Sequence, residues 1–231
     1  MQLPANRSSA QVGYWAALGS SVTFIVYTAC FVLILASAPI FTWTNLQDYV
    51  AYTNAHNQTW KFVAQVDMLL FGVFYVVMLN AIYDNATATN KSTTRLGLLF
   101  GAMFALLVCS HYFVQISSVR LSVIKGQTDG LLQFIQANPY GGLAAMNMLG
   151  WTLFLGLSSL FVAPVFRNGR LEKLLHIAFI ANGIFCLVGG IAYVLEITLL
   201  IFVCTTLGMG ASVIVIAVAL CFWFKRIRQN H

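Results

Sequence analysis

Three ionisable side chains stand inside otherwise apolar runs of this sequence: Asp67 in Gln-Val-Asp-Met-Leu, His111 in Cys-Ser-His-Tyr-Phe and Glu196 in Val-Leu-Glu-Ile-Thr. An ionised group placed deep in a bilayer costs roughly 2.5 to 3.5 kcal/mol, so such residues are expected to face a protein interior and to find a partner. The partner on offer to Asp67 is His111, and a carboxyl beside an imidazole can pass a proton. Amide and phenol groups extend the set: Gln115, Asn147, Asn182 and Tyr193. Asn182, Cys186, Gly189, Tyr193 and Glu196 follow one another at three- and four-residue steps, so they share one helix face. Three kinds of chemistry suit this inventory. As a binding or transport site, Asp67, His111, Gln115, Asn147, Asn182, Tyr193 and Glu196 would line a pocket for a small, partly apolar molecule. As an enzyme, Asp67 or Glu196 would serve as acid and His111 as proton acceptor or orienter on a lipid or isoprenoid. Isomerisation or cyclisation would fit better than hydrolysis, with Phe71, Phe74, Trp151 and Tyr193 offering ring faces to a carbocation. In a purely structural or assembly role, Asp67 and His111 would lock two helices together and the amides would be interhelical donors.

The elements that must position these groups are transmembrane helices. Of 231 residues, 60% are hydrophobic and only 8% charged, against about 25% charged in a soluble domain. A span needs roughly 20 apolar residues, and the sequence offers six such runs, at about 13–38, 61–83, 93–122, 141–166, 174–195 and 198–224. The expectation is an all-α polytopic bundle forming a single transmembrane domain over 1–231. The run at 13–38 is too long for a signal-peptide core and reads as a retained first helix. Six spans put both ends on one side. That side carries Arg7, Lys91, Arg95, Arg167, Arg170, Lys173, Lys225, Arg226 and Arg228, against Lys61, Arg120 and Lys125 opposite, so the positive-inside rule places both termini in the cytoplasm. The net charge of +6 therefore reports orientation and argues against nucleic acid as a partner.

Two amphipathic loops then face outward. One, over 42–60, puts Leu46, Tyr49, Val50 and Thr53 at helical spacing and reads as a short helix on the membrane surface rather than a cap on the bundle. The other, Lys125 to Tyr140, carries Leu131, Phe134 and Ile135 on one side and breaks at Asn138-Pro139. Within the third span, Gly97, Gly101, Phe104, Val108, His111, Gln115 and Ser118 form one stripe. Its Gly97 and Gly101 make a GxxxG step that invites close helix approach.

No cofactor or metal ligand set is legible. Cys30, Cys109, Cys186, Cys204 and Cys221 all fall in spans without a CxxC pair, and His111 has no mate for a bis-histidine haem. Gly156-Leu157-Ser158-Ser159 lacks the second glycine of the rhomboid-protease nucleophile motif, and the last span has no histidine to act as base. The polar groups gather toward the outer half of the bilayer, so transport by alternating access would need a homodimer or a transporter partner. One resemblance is carried by Tyr112-Phe-Val-Gln115, Gly126-Gln-Thr-Asp129-Gly, Asn138-Pro139 and Ala163-Pro164-Val165-Phe166. This stretch, spans three and four with their loop, resembles a family of uncharacterised bacterial multi-pass membrane proteins. The resemblance implies a bacterial inner-membrane location, draws attention to Gln115, Arg120, Asp129 and Asn138, and implies no activity.

Overall fold

The structure, a computed structural model, describes residues 7–229. Six helical spans are long and apolar enough to cross a membrane: Arg7–Ser37, Thr59–Asn85, Ala88–Ile124, Gly142–Val165, Arg170–Val194 and Thr198–Gln229. Each overlaps its sequence expectation, with ends that differ by up to six residues. The chain is a multi-pass membrane protein with an all-α fold.

The principal helices are α1 (Arg7–Ser37), α2 (Leu46–Ala55), α3 (Thr59–Asn85), α4 (Lys91–Val114), α5 (Arg120–Ile124), α6 (Gly142–Leu149), α7 (Leu155–Val162), α8 (Arg170–Val194), α9 (Thr198–Ile201) and α10 (Gly210–Gln229). Spans three, four and six are each joined internally by a π-helical segment, at Gln115–Val119, Gly150–Phe154 and Phe202–Met209. Consecutive spans are neighbours: α1 packs on α3, α3 on α4, α4 on α7, α7 on α8, α8 on α10, and α10 returns to α1. The six spans therefore close into a ring.

Small residues set how tightly the ring closes. A Cβ on Gly97 would sit 2.5 Å from Val162 Cγ2 and 3.1 Å from the Ser158 carbonyl oxygen, so the GxxxG step does bring α4 against α7. Ser158 donates to the Gly97 carbonyl at 2.8 Å across the same crossing. Nearer mid-span, aromatic rings fill the interior. Phe71 stacks on Trp151 with centroids 6.0 Å apart, and Phe104 meets the same indole edge-on at 4.9 Å. Near the termini, Arg226 pairs with Glu172 at 3.0 Å and ties the end of span six to the start of span five.

The two loops expected to be amphipathic lie together at the opposite end and form a second, smaller core. Tyr49 of α2, Val119 and Val123 of span three, and Leu131 and Ile135 of the second loop are all buried in one cluster. This corrects the expectation for α2. Tyr49 is 4% exposed, so α2 is docked on the bundle as a cap and does not lie free on the membrane surface. Its start is fixed by Asn45, whose side-chain oxygen accepts from the Asp48 amide at 2.9 Å, the usual way a helix N-terminus satisfies its free donors. The second loop is built mainly of turns with a single 3₁₀ turn at Leu131–Gln133. Leu131 and Ile135 are buried as the pattern implies, whereas Phe134 is exposed.

Candidate functional site

Two adjoining crevices open at the end of the bundle capped by α2 and the second loop, the lid side. The first, about 360 Å³, lies between α2, the start of α3 and the end of span three, and its walls include Tyr49, Lys61, Phe62, Gln65, Gln115 and Arg120. The second, about 330 Å³, runs beside α1 and includes Tyr27, Phe31, Ile34, Tyr112 and Gln136. Lys61 and Gln65 line both. These two residues are one helical turn apart at the mouth of α3, so they project from the same face.

The roof is fastened by side-chain amides. Gln115 donates from Nε2 to the Phe134 carbonyl at 2.6 Å and accepts from the Gln136 amide at 3.1 Å. Gln65 donates to the Gln136 side-chain oxygen at 2.8 Å. Further along, Tyr193 donates its hydroxyl proton to the Pro139 carbonyl at 3.1 Å and anchors the same loop from α8. Two cations stand in the first crevice. Lys61 donates to the Tyr49 hydroxyl at 3.1 Å and lies 5.0 Å from the centre of that ring. Arg120 donates from Nε to the Ile116 carbonyl at 3.0 Å, with its guanidinium 5.1 Å from the Phe62 centroid.

The geometry of span three explains why Arg120 and Gln115 reach the same crevice. In the π-helical turn over Gln115–Val119 the hydrogen bonds close over five residues, which takes up one extra residue per turn. The buried stripe therefore continues from Gln115 to Val119, which is 3% exposed, and not to the expected Ser118, which is exposed.

The residues singled out from sequence are dispersed. Asp67 is buried on α3 with Oδ2 lacking a hydrogen-bond partner. His111 is fully buried, with Nδ1 3.3 Å from the Leu143 carbonyl oxygen and Nε2 without a partner. No hydrogen bond or ion pair joins the two among the described residues, so the Asp67–His111 pair expected from sequence is not formed. Asn147 is half-buried on α6 with an unpartnered Oδ1. Asn182 donates to Ser159 Oγ at 2.8 Å and borders a void of about 10 Å³ in mid-bundle. Glu196 is exposed in the turn after α8, with a φ of 57°. Only Gln115 of the set lines the lid-side crevices. Asp67, His111 and Glu196 line neither of these crevices. Among the described residues no three His, Cys, Asp or Glu side chains come together as a metal site.

Sequence reasoning passed over Lys61, Gln65 and Gln136. A signal for the first two was present: a lysine and a glutamine four residues apart, just inside an apolar run. Gln136 had none, because its role depends on how the second loop folds back. No protein-family model, curated protein or solved structure matches the chain.

Proposed function

We propose that this membrane protein binds a small amphipathic molecule on its lid side, acting as a capture or transport component. The observation that carries the reading is the pair of crevices sharing Lys61 and Gln65. Each falls within the roughly 300 to 1,000 Å³ of small-molecule sites, and each joins polar groups to apolar walls as such sites do. The loops support the same reading, since α2 borders the first crevice, Gln136 and Ala137 of the second loop border the second, and the two loops share a core. Charge asymmetry supports an outward-facing lid side, and the resemblance of spans three and four supports a bacterial inner membrane as the location. Binding is favoured over catalysis because Asp67, His111 and Glu196 line neither crevice.

The test is native mass spectrometry of the protein released gently from its own membrane. A bound small molecule is expected, and Gln65→Trp, which fills the space common to both crevices, should remove it. Ile124→Trp should weaken it from the rim of the first crevice. Leu70→Trp, on an exposed position of α3 away from both, should leave it in place. A molecule retained by all three variants, or absent from the wild type, counts against the assignment.

A further inference from the structure

We propose that the occupant is a single-chain anionic amphiphile, with a carboxylate or phosphate head at Lys61 and Arg120 and its chain along the face of α1 formed by Tyr27, Phe31 and Ile34. The proposal rests on the reading of the crevices as a ligand site and adds the sign of the ligand's charge and its orientation.

Charge carries the first half. The chain contains six acidic residues, and none of them lines either crevice. The only ion pair among the described residues is Arg226 with Glu172, at the opposite end of the bundle. Lys61 and Arg120 thus share a crevice with neutral amides and rings and no counter-charge. Lys61 is half-buried, Arg120 is exposed at the rim, and each makes a hydrogen bond near the crevice. Lys61 uses one donor on the Tyr49 hydroxyl and keeps two of its three N–H groups. Arg120 uses Nε on the Ile116 carbonyl and keeps its terminal NH₂ groups, whose planar fork suits a carboxylate or phosphate. Tyr49 and Phe62 orient the two cations by their π faces. Two positioned cations without a carboxylate form an anion site, and a cationic head would be repelled from it.

Shape carries the second half. Lys61 and Gln65 open onto the second crevice, which continues past Ala64 and Tyr112 to Phe31 and Ile34 of α1. Phe31 is 41% exposed on the outside of the bundle, so this crevice faces the hydrocarbon, and a chain can enter it sideways from the bilayer. From Ile34 back to Tyr27 the helix rises about 10 Å, the depth over which the chain would be held. Lys61 is the one charged residue lining this crevice, and Phe31, Ile34 and the rings of Tyr27 and Tyr112 form the rest of its length, so the head of an anionic amphiphile belongs toward the lids.

The experiment uses wild-type protein in nanodiscs of zwitterionic lipid, with empty discs as the blank. Calorimetric titration with dodecanoate and dodecyl phosphate is compared with dodecanol, dodecyltrimethylammonium, acetate and inorganic phosphate. Both anionic amphiphiles should bind about tenfold or more tightly than dodecanol, and the cationic amphiphile and the chainless anions should not bind measurably. Lys61→Gln combined with Arg120→Gln should erase the preference, so that the anions bind no more tightly than dodecanol; Arg120→Gln alone should reduce it. If dodecanol matches dodecanoate and the double variant changes nothing, the anionic head is wrong and the site remains. If acetate or phosphate binds as tightly as its dodecyl counterpart, the ligand is a small free anion and the chain assignment fails. If no probe binds, the ligand site itself is refuted.

Discussion

Asp67 shows what a buried carboxyl does when the expected partner does not arrive. Its Oδ2 has no hydrogen-bond partner, and an unsatisfied buried acceptor weakens a fold. Replacing it with asparagine keeps the shape and removes the possibility of a buried charge. Asp67→Asn should therefore raise the melting temperature in detergent by about 2 to 4 °C, the shift expected per 1 kcal/mol for a protein of this size. A fall would instead mean that the carboxylate holds the bundle together. Gln115 behaves in the opposite way. It satisfies a carbonyl and an amide of the second loop at once, so Gln115→Leu leaves both unpaired beneath the lid at about 1 to 3 kcal/mol. Hydrogen exchange should report it, with amides between Leu131 and Asn138 opening faster while those of α8 and α10 stay protected.

At the scale of the element, the spans were readable because a bilayer imposes their length and excludes unpaired backbone. The Gly97–Gly101 contact was readable because side-chain size alone sets how closely two helices approach. Two features escaped for physical reasons. Docking of α2 depends on a surface made jointly by Val119, Val123, Leu131 and Ile135, which no local pattern displays. The π turn at Gln115–Val119 breaks the period on which stripe reading relies, so Ser118 was expected where Val119 lies. Such a turn behaves as a one-residue insertion in an α-helix, which gives a direct test. Deleting Ser118 should let the segment relax to a regular helix with Val119, Arg120 and Val123 still on their present faces, and stability and probe binding should survive. Deleting Val108, in the regular part of α4, rotates His111 and Gln115 by about 100° relative to the preceding turns and should abolish the folded state. Equal damage from the two deletions, measured by thermal unfolding, would show that the π turn is itself required.

For the whole molecule, the distribution of charge has two separable causes. Nine of the twelve cations stand on the side of the termini and three on the lid side, which orients the chain. Orientation does not explain why two of those three, Lys61 and Arg120, converge on one crevice. Were topology the only pressure, a lid side free of lysine and arginine would serve it better. The two causes can be tested apart by locating each end of the bundle. All five native cysteines are buried or half-buried within helical spans, so single introduced thiols can be read above a low background. Asn57→Cys beside α2 and Asn168→Cys before α8 are both at exposed positions on opposite ends of the ring. In intact cells a membrane-impermeant maleimide should label Asn57→Cys and reach Asn168→Cys only after permeabilisation. The reverse pattern would turn the crevices toward the cytoplasm. The anion site would then draw its ligand from the inner leaflet, and the nine cations on the side of the termini would stand outside, against the positive-inside rule.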